Sequence, residues 1–361
     1  MPINGLTDLT HSISTISCLI PRIMKFPSQL RSLCLLGTLL LAPATLLHAQ
    51  YTNGQAASVV LGQASFNVGT AATTQNGLKT PAGIVVDNST GKVFVLDTGN
   101  NRILRFGSFA ATASGSAAEA VLGQANFTTG TAQTTSASTL NQPYGAVLDS
   151  SGTLWVADLG NNRVVGFQNA ATADNGAAAT LLFGQSDFTS HTSGLTQYSM
   201  SGPSSVAIDS TGTLYVMDRG NNRVLRFTNA ASKGLTGGAF ADGLFGQSNF
   251  QANVTGITSS TFGLNPWAVE TDSSGNLWVA DTTNNRVLRF SSPSTAAVGA
   301  AATAVLGQSD FISGGSSTSQ TGFKGPIGLA FDALDRLYVA DISNNRVLVF
   351  ENSATLSGLV P

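Results

Sequence analysis

A Gly-Gln pair returns at Gly62-Gln63, Gly123-Gln124, Gly184-Gln185, Gly246-Gln247 and Gly307-Gln308, and the steps between successive Gln positions are 61, 61, 62 and 61 residues. A register held that closely over five copies marks a repeat architecture, in which each unit buries its apolar face only against its neighbours. Each pair is followed three residues later by Phe (Phe66, Phe127, Phe188, Phe250, Phe311). After a further 14 or 15 residues rich in Ser, Thr and Gly comes Pro (Pro81, Pro143, Pro203, Pro266, Pro326). Unconstrained loops drift in length, so such constancy predicts ordered connections.

Each Pro opens a short apolar run that ends in Asp, at Asp87, Asp149, Asp209, Asp272 and Asp332. The run reads as a strand, termed a. Asp at the first and Gly at the fourth position of the next segment, as in Asp149 to Gly152, is tight-turn chemistry. Strand b (VFVLD, LWVAD, LYVMD, LWVAD, LYVAD) follows and ends in Asp. A turn closing on Asn-Asn leads to strand c (RILRF, RVVGF, RVLRF, RVLRF, RVLVF), and the VLGQ or LFGQ run is strand d. Asn tolerates the left-handed backbone that such hairpins need. Strands b, c and d are nearly continuously apolar, so both faces of each small sheet must be covered. A four-stranded sheet covered by copies of itself is a propeller blade, and the rungs of the competing β-helix are much shorter than this unit. The expectation is an all-β, five-bladed β-propeller. A lone strand d at residues 58–63 precedes the first blade and the last blade stops after strand c, so that segment is expected to supply the missing strand and close the ring.

Composition narrows the function classes. Charged residues are 10% of the chain, and 17 Lys and Arg against 19 Asp and Glu leave a net charge of −2, which offers no phosphate-neutralising surface for nucleic acid. From Met24 the chain runs through Lys25 and Arg31, an apolar stretch at 33–41 and a small-residue end at Ala49, the order of a secretory signal peptide. Residues 1–49 therefore read as a leader, with Met24 the expected start, and residues 50–361 as one propeller domain exported to a periplasm or the medium. Both cysteines, Cys18 and Cys34, fall in the leader, so the exported domain is expected to lack disulfides.

The unit P-x-G-x-x-x-D, LYVAD, x-x-NNRVLRF resembles the NHL repeat, and the likeness runs over residues 58–350, with Asn-Asn-Arg-Val in four copies and Asn-Asn-Arg-Ile in the first. The resemblance implies a propeller, a fold that serves both enzymes and interaction proteins, so function must come from the site. NHL propellers commonly have six blades, where this chain counts five.

A scaffold residue repeats, whereas a site is singular. Asp97/Arg102, Asp158/Arg163, Asp218/Arg223, Asp281/Arg286 and Asp341/Arg346 recur in every copy and are expected to brace the b–c hairpins by charge-assisted hydrogen bonds. The Gln of each Gly-Gln pair is expected to satisfy backbone groups at blade junctions. Function is sought where copies differ, at the residue after each Pro (Ala82, Tyr144, Ser204, Trp267, Ile327) and the residue after the strand b Asp (Thr98, Leu159, Arg219, Thr282, Ile342). Tyr144, Trp267 and Arg219 are the expected ligand-facing residues at the channel mouth. His191 is the only His outside the leader and lies in a Ser/Thr loop, and there is no G-x-S-x-G motif, so the inventory leans against Ser-His or His-zinc catalysis. The favoured expectation is a non-catalytic module that binds a protein or glycan without a cofactor. The alternative is a Ca²⁺-dependent lactonase or esterase like the gluconolactonase and paraoxonase propellers, with Asn265 and Glu270, and with them Asn141, as metal ligands. A structural envelope component is the third reading.

Overall fold

The computed structural model describes residues 55–234 and 237–351. The expected leader, with Met24, Cys18 and Cys34, and the start of the expected domain at residues 50–54 lie outside the described residues. The chain is a five-bladed, all-β propeller of antiparallel sheets. The first blade comprises β1 (Gly83–Val86), β2 (Val93–Asp97), β3 (Arg102–Phe106) and β4 (Ala120–Leu122). The second comprises β5 (Pro143–Leu148), β6 (Leu154–Asp158), β7 (Arg163–Phe167) and β8 (Leu181–Phe183), and the third β9 (Pro203–Ile208), β10 (Leu214–Asp218), β11 (Arg223–Phe227) and β12 (Gly243–Phe245). The fourth holds β13 (Ala268–Thr271), β14 (Leu277–Asp281), β15 (Arg286–Phe290) and β16 (Ala304–Leu306). The fifth holds β17 (Pro326–Phe331), β18 (Leu337–Asp341) and β19 (Arg346–Phe350). Among the described residues no helix is long and apolar enough to cross a membrane.

The turns use the chemistry read from the sequence. Gly152 takes φ 81° and donates its N–H to Asp149 O, while Asp149 Oδ1 accepts the N–H groups of Ser151 and Thr153, each at 2.9 Å. The other oxygen of this turn Asp receives the polar end of the strand b aromatic: Trp155 Nε1 donates to Asp149 Oδ2 at 3.0 Å and Trp278 Nε1 to Asp272 Oδ2 at 2.9 Å. A buried indole needs such an acceptor. At the b–c turns the second Asn (Asn101, Asn162, Asn222, Asn285, Asn345) is left-handed, with φ between 50° and 54°. The Gly of each Gly-Gln pair also has positive φ and ends strand d. The following Gln side chains tie the junctions, as Gln124 Nε2 does by donating to Asn101 O and Thr131 O.

The cores lie between blades. Trp155 and Phe183 of the second blade pack with Val216 and Phe227 of the third, and Tyr215 and Phe245 of the third with Val279 and Phe290 of the fourth. Arg105 Nη1 donates to Ala170 O and Ala173 O of the next blade, and Arg226 Nη1 makes the same staple to Pro293 O and Ala296 O.

The repeated Asp–Arg pairs do more than brace hairpins. In the second blade Arg163 Nε donates to Asp158 Oδ2 at 2.8 Å, and neither side chain is exposed. Its Nη2 donates to Ser136 O and Thr139 O in the loop before the blade, and its Nη1 to Phe188 O in the loop after it. Asp158 Oδ1 accepts the Asn141 N–H, and Oδ2 also accepts Asn161 Nδ2. Arg102, Arg223 and Arg286 repeat this pattern, each wrapped by two successive Phe-to-Pro connections. That wrapping accounts for the constant connection length: its carbonyls must reach one guanidinium.

The last blade departs from expectation. Among the described residues its sheet has three strands, and residues 58–63 form no strand and pair with no part of β19. Val60 O instead accepts the Gly115 N–H, as Val121 O accepts Gly176 N–H and Leu244 O accepts Gly299 N–H. Leu61 packs on the core of the first blade. Strand d residues are gripped from two sides, by strand c of their own blade and by a loop of the next. Residues 58–63 make only the second set of contacts. Val347 and Val349 of β19 are consequently 59% and 50% exposed, and Ile84 and Val86 of β1 are exposed too.

Removing one partner of a buried ion pair leaves an uncompensated charge and costs about 3–5 kcal/mol. Arg163→Ala is therefore expected to destabilise the propeller by about that amount in urea unfolding, and Arg163→Lys to recover little, because an ammonium lacks the planar fork. Arg346→Ala, in a pair whose Arg side chain is 25% exposed, is expected to cost distinctly less.

Candidate functional site at the channel mouth

The strands a stand side by side around the channel, and their N-terminal ends share one end of the fold with the b–c turns. A cavity of about 390 Å³ opens there, lined by residues of all five blades, among them Ala82, Tyr144, Ser204, Trp267, Glu270 and Ile327. Position by position, its wall consists of the residue after each Pro and the small or aliphatic residues that follow.

Tyr144 and Trp267, from the second and fourth blades, meet edge to face with ring centroids 5.3 Å apart. The third blade lies between them in sequence order, and its residue at this position is Ser204, small enough to leave room. Ser204 Oγ donates to Trp267 O at 2.7 Å, which fixes the indole's backbone. Arg219, in the b–c turn of the third blade, lies with its guanidinium carbon 4.1 Å from the Trp267 ring centroid. The fold brings the three expected ligand-facing residues into one cluster. Trp267 joins the other two, with Tyr144 at its edge and the Arg219 guanidinium covering one face of the indole.

Arg219 differs from every other turn residue and from the scaffold arginines. Its side chain makes no hydrogen bond and no ion pair among the described residues; its Nε is buried without a partner, as are those of Arg105 and Arg226, but those two bond through their terminal nitrogens. Burial pulls its pKa below the ordinary guanidinium value, with Tyr144 acting in the opposite direction. The group stays charged, because guanidinium does not lose its proton in proteins.

Glu270 lines the same cavity three residues beyond Trp267, about 10 Å along the strand. The other copies carry Val85, Val147, Ala207 and Ala330 there. Its Oε1 accepts the Thr271 N–H at 3.0 Å, and no cation pairs with it. The crowding of the channel wall pushes its carboxyl up to about 7, against a smaller opposing pull from that hydrogen bond.

Of the expected metal ligands, Glu270 lines the cavity and Asn265 and Asn141 do not. Asn265 is not part of the cavity wall; it is a left-handed turn residue (φ 54°) whose N–H donates to Asn222 Oδ1 at 2.8 Å. Gln142, Gly202 and Gly325 donate equivalently to Asn101, Asn162 and Asn285. Asn265 therefore fills a repeat position whose demand is backbone shape. Asn141 uses its N–H on Asp158. Among the described residues no three His, Cys, Asp or Glu side chains are grouped so as to hold a metal ion. His191 is exposed and is not part of the cavity wall.

The NHL-repeat profile matches five times, at residues 78–106, 140–167, 200–227, 264–290 and 323–350, each match running from just before strand a to the end of strand c. The chain belongs to the NHL-repeat β-propeller family. No curated protein sequence matches it. Among solved structures, it is similar to a streptogramin B lyase (13% identity over 80% of this chain and 69% of that one, TM-score 0.46). It is similar as well to a 6-phosphogluconolactonase-like protein of Bacteroides uniformis (13%, 76% and 68%, TM-score 0.48). A third likeness is to a nidogen/laminin complex (16%, 78% and 80%, TM-score 0.45). Likenesses this distant say nothing about activity.

Two outcomes test the cluster. Unlike the scaffold arginines, the Arg219 side chain makes no hydrogen bond whose loss would leave a buried partner unsatisfied. Arg219→Leu is therefore expected to melt no lower than the wild type, whereas a drop of several degrees would make Arg219 a scaffold residue. Because folding raises the Glu270 pKa, its contribution to stability is greatest below the unfolded value near 4.5 and is lost as pH rises to about 7. Glu270→Gln is expected to leave the melt unchanged at pH 4 and to stabilise by about 1–3 kcal/mol at pH 8.

Proposed function

We propose that this chain is an exported, non-catalytic binding module that captures a group on a protein or glycan partner at the channel mouth, through Arg219, Trp267 and Tyr144. The observation that carries this reading is the unpaired guanidinium held against Trp267. Every scaffold arginine of the b–c hairpins spends its donors on carboxylate and carbonyl oxygens, while Arg219 spends none. Its Nε is buried without an acceptor, and its terminal nitrogens stand ready for acceptors that a ligand supplies, on a side chain already held against an aromatic ring.

The Ca²⁺-dependent hydrolase reading would centre on Glu270, the one acidic residue of the cavity wall. Ca²⁺ takes six to eight oxygen ligands, and a single carboxylate among aliphatic neighbours supplies few of them. A structural envelope role would leave the Arg219 cluster without purpose.

Probing peptide and glycan arrays with the tagged chain is expected to give ligands whose capture is lost in Trp267→Ala with little change in the melt. Ligands held equally well by that variant, or no ligand on either array, would overturn the reading. A ligand that binds only the native state stabilises it by mass action, so a chelated sample whose melting temperature recovers sharply with Ca²⁺ would favour the hydrolase.

A further inference from the structure

The chemistry of the cavity wall narrows what the mouth can hold. Beside the Tyr144–Trp267 pair the larger side chains of the wall are aliphatic, Ile84, Val206, Val269, Ile327 and Leu329, and Glu270 is its one charged residue. The two serines of the wall are already committed: Ser204 Oγ donates to Trp267 O and Ser205 Oγ to Val269 O. No Lys or Arg lines the cavity, so Arg219 against its rim is one cation, without the several donors that a phosphate collects. A planar guanidinium whose terminal nitrogens make no hydrogen bond matches a carboxylate, which it meets through two parallel bonds.

Resting on the binding reading above, we infer that the mouth takes a carboxylate joined to a compact apolar group, the carboxylate on Arg219 and the apolar group beside Tyr144 and Trp267 in the aliphatic channel. Trp267 acts as a positioning residue, because it holds the guanidinium in place before the ligand arrives. A cavity of about 390 Å³ has room for one such group. Two sources offer this chemistry, a free monocarboxylic acid and the C-terminal residue of a polypeptide.

The test is calorimetric titration of the full chain at pH 7 with N-acetyl-leucine, N-acetyl-leucinamide, galacturonate and inorganic phosphate. Two peptides ending in Leu, one with a free and one with an amidated terminus, complete the set. N-acetyl-leucine is expected to bind, with the amide at least tenfold weaker. Arg219→Gln is expected to bring the acid down to the level of the amide while leaving the amide and the melt unchanged. A free-terminus peptide that binds at least tenfold more tightly than N-acetyl-leucine identifies a protein C-terminus as the source, and equal affinities identify a free acid; both support the inference. Galacturonate or phosphate bound in an Arg219-dependent manner, with N-acetyl-leucine ignored, overturns the ligand class and leaves the mouth as a binding site. Binding of the acid that is indifferent to Arg219→Gln overturns the placement. Silence from every probe overturns the inference alone, since the arrays and Trp267→Ala decide the broader reading separately.

Discussion

The buried Asp–Arg pair at each b–c hairpin is the constraint on which this propeller rests. A guanidinium taken out of water needs acceptors for all its donors, and the carboxylate satisfies only one side of it. The remaining donors draw in backbone carbonyls from the connection before the blade and the connection after it, as Arg163 does with Ser136, Thr139 and Phe188. Loops that would otherwise wander become part of the interior. The net energy of the pair against an apolar substitute is small or unfavourable, so its role is specification: it admits one geometry for two loops and a hairpin.

Against that background Arg219 is informative because it breaks the pattern by which the fold uses cations. Every guanidinium nitrogen of the hairpin arginines is hydrogen-bonded, whereas the side chain of this one makes no hydrogen bond and lies against the Trp267 ring. Natural sequences depart from local consistency mainly at functional or strained sites. Both departures, Arg219 and Glu270, fall on the wall or rim of a single cavity.

The repeat was legible because its causes are local. Pro before strand a, Asp and Gly in the a–b turn and Asn at left-handed φ each state a backbone requirement in one residue, and five copies state it five times. Tyr144, Trp267 and Arg219 were legible as the positions where copies differ. What could not be read was the side of Trp267 that remains free, since the contact with Arg219 crosses from one blade to the next. Asn265 misled for the opposite reason. Asn serves both as an oxygen donor and as a left-handed turn residue, and the sequence alone does not say which; the matching donations by Gln142, Gly202 and Gly325 do. The unmade pairing of residues 58–63 with β19 was also beyond reach, because their strand-like pattern serves two sets of contacts, and the structure makes only one of them.

The double grip of each hairpin arginine gives the molecule a direction. Its hold on the earlier connection can form as soon as its own blade exists, but its hold on the later one must wait for the next Gly-Gln-x-x-Phe segment to be synthesised. Blades are therefore locked one behind the other as the chain leaves the ribosome, like teeth of a zipper whose slider moves only toward the carboxyl end. A lesion in an inner tooth releases two neighbours, and one at an end releases a single neighbour, as expected of a nearly one-dimensional assembly.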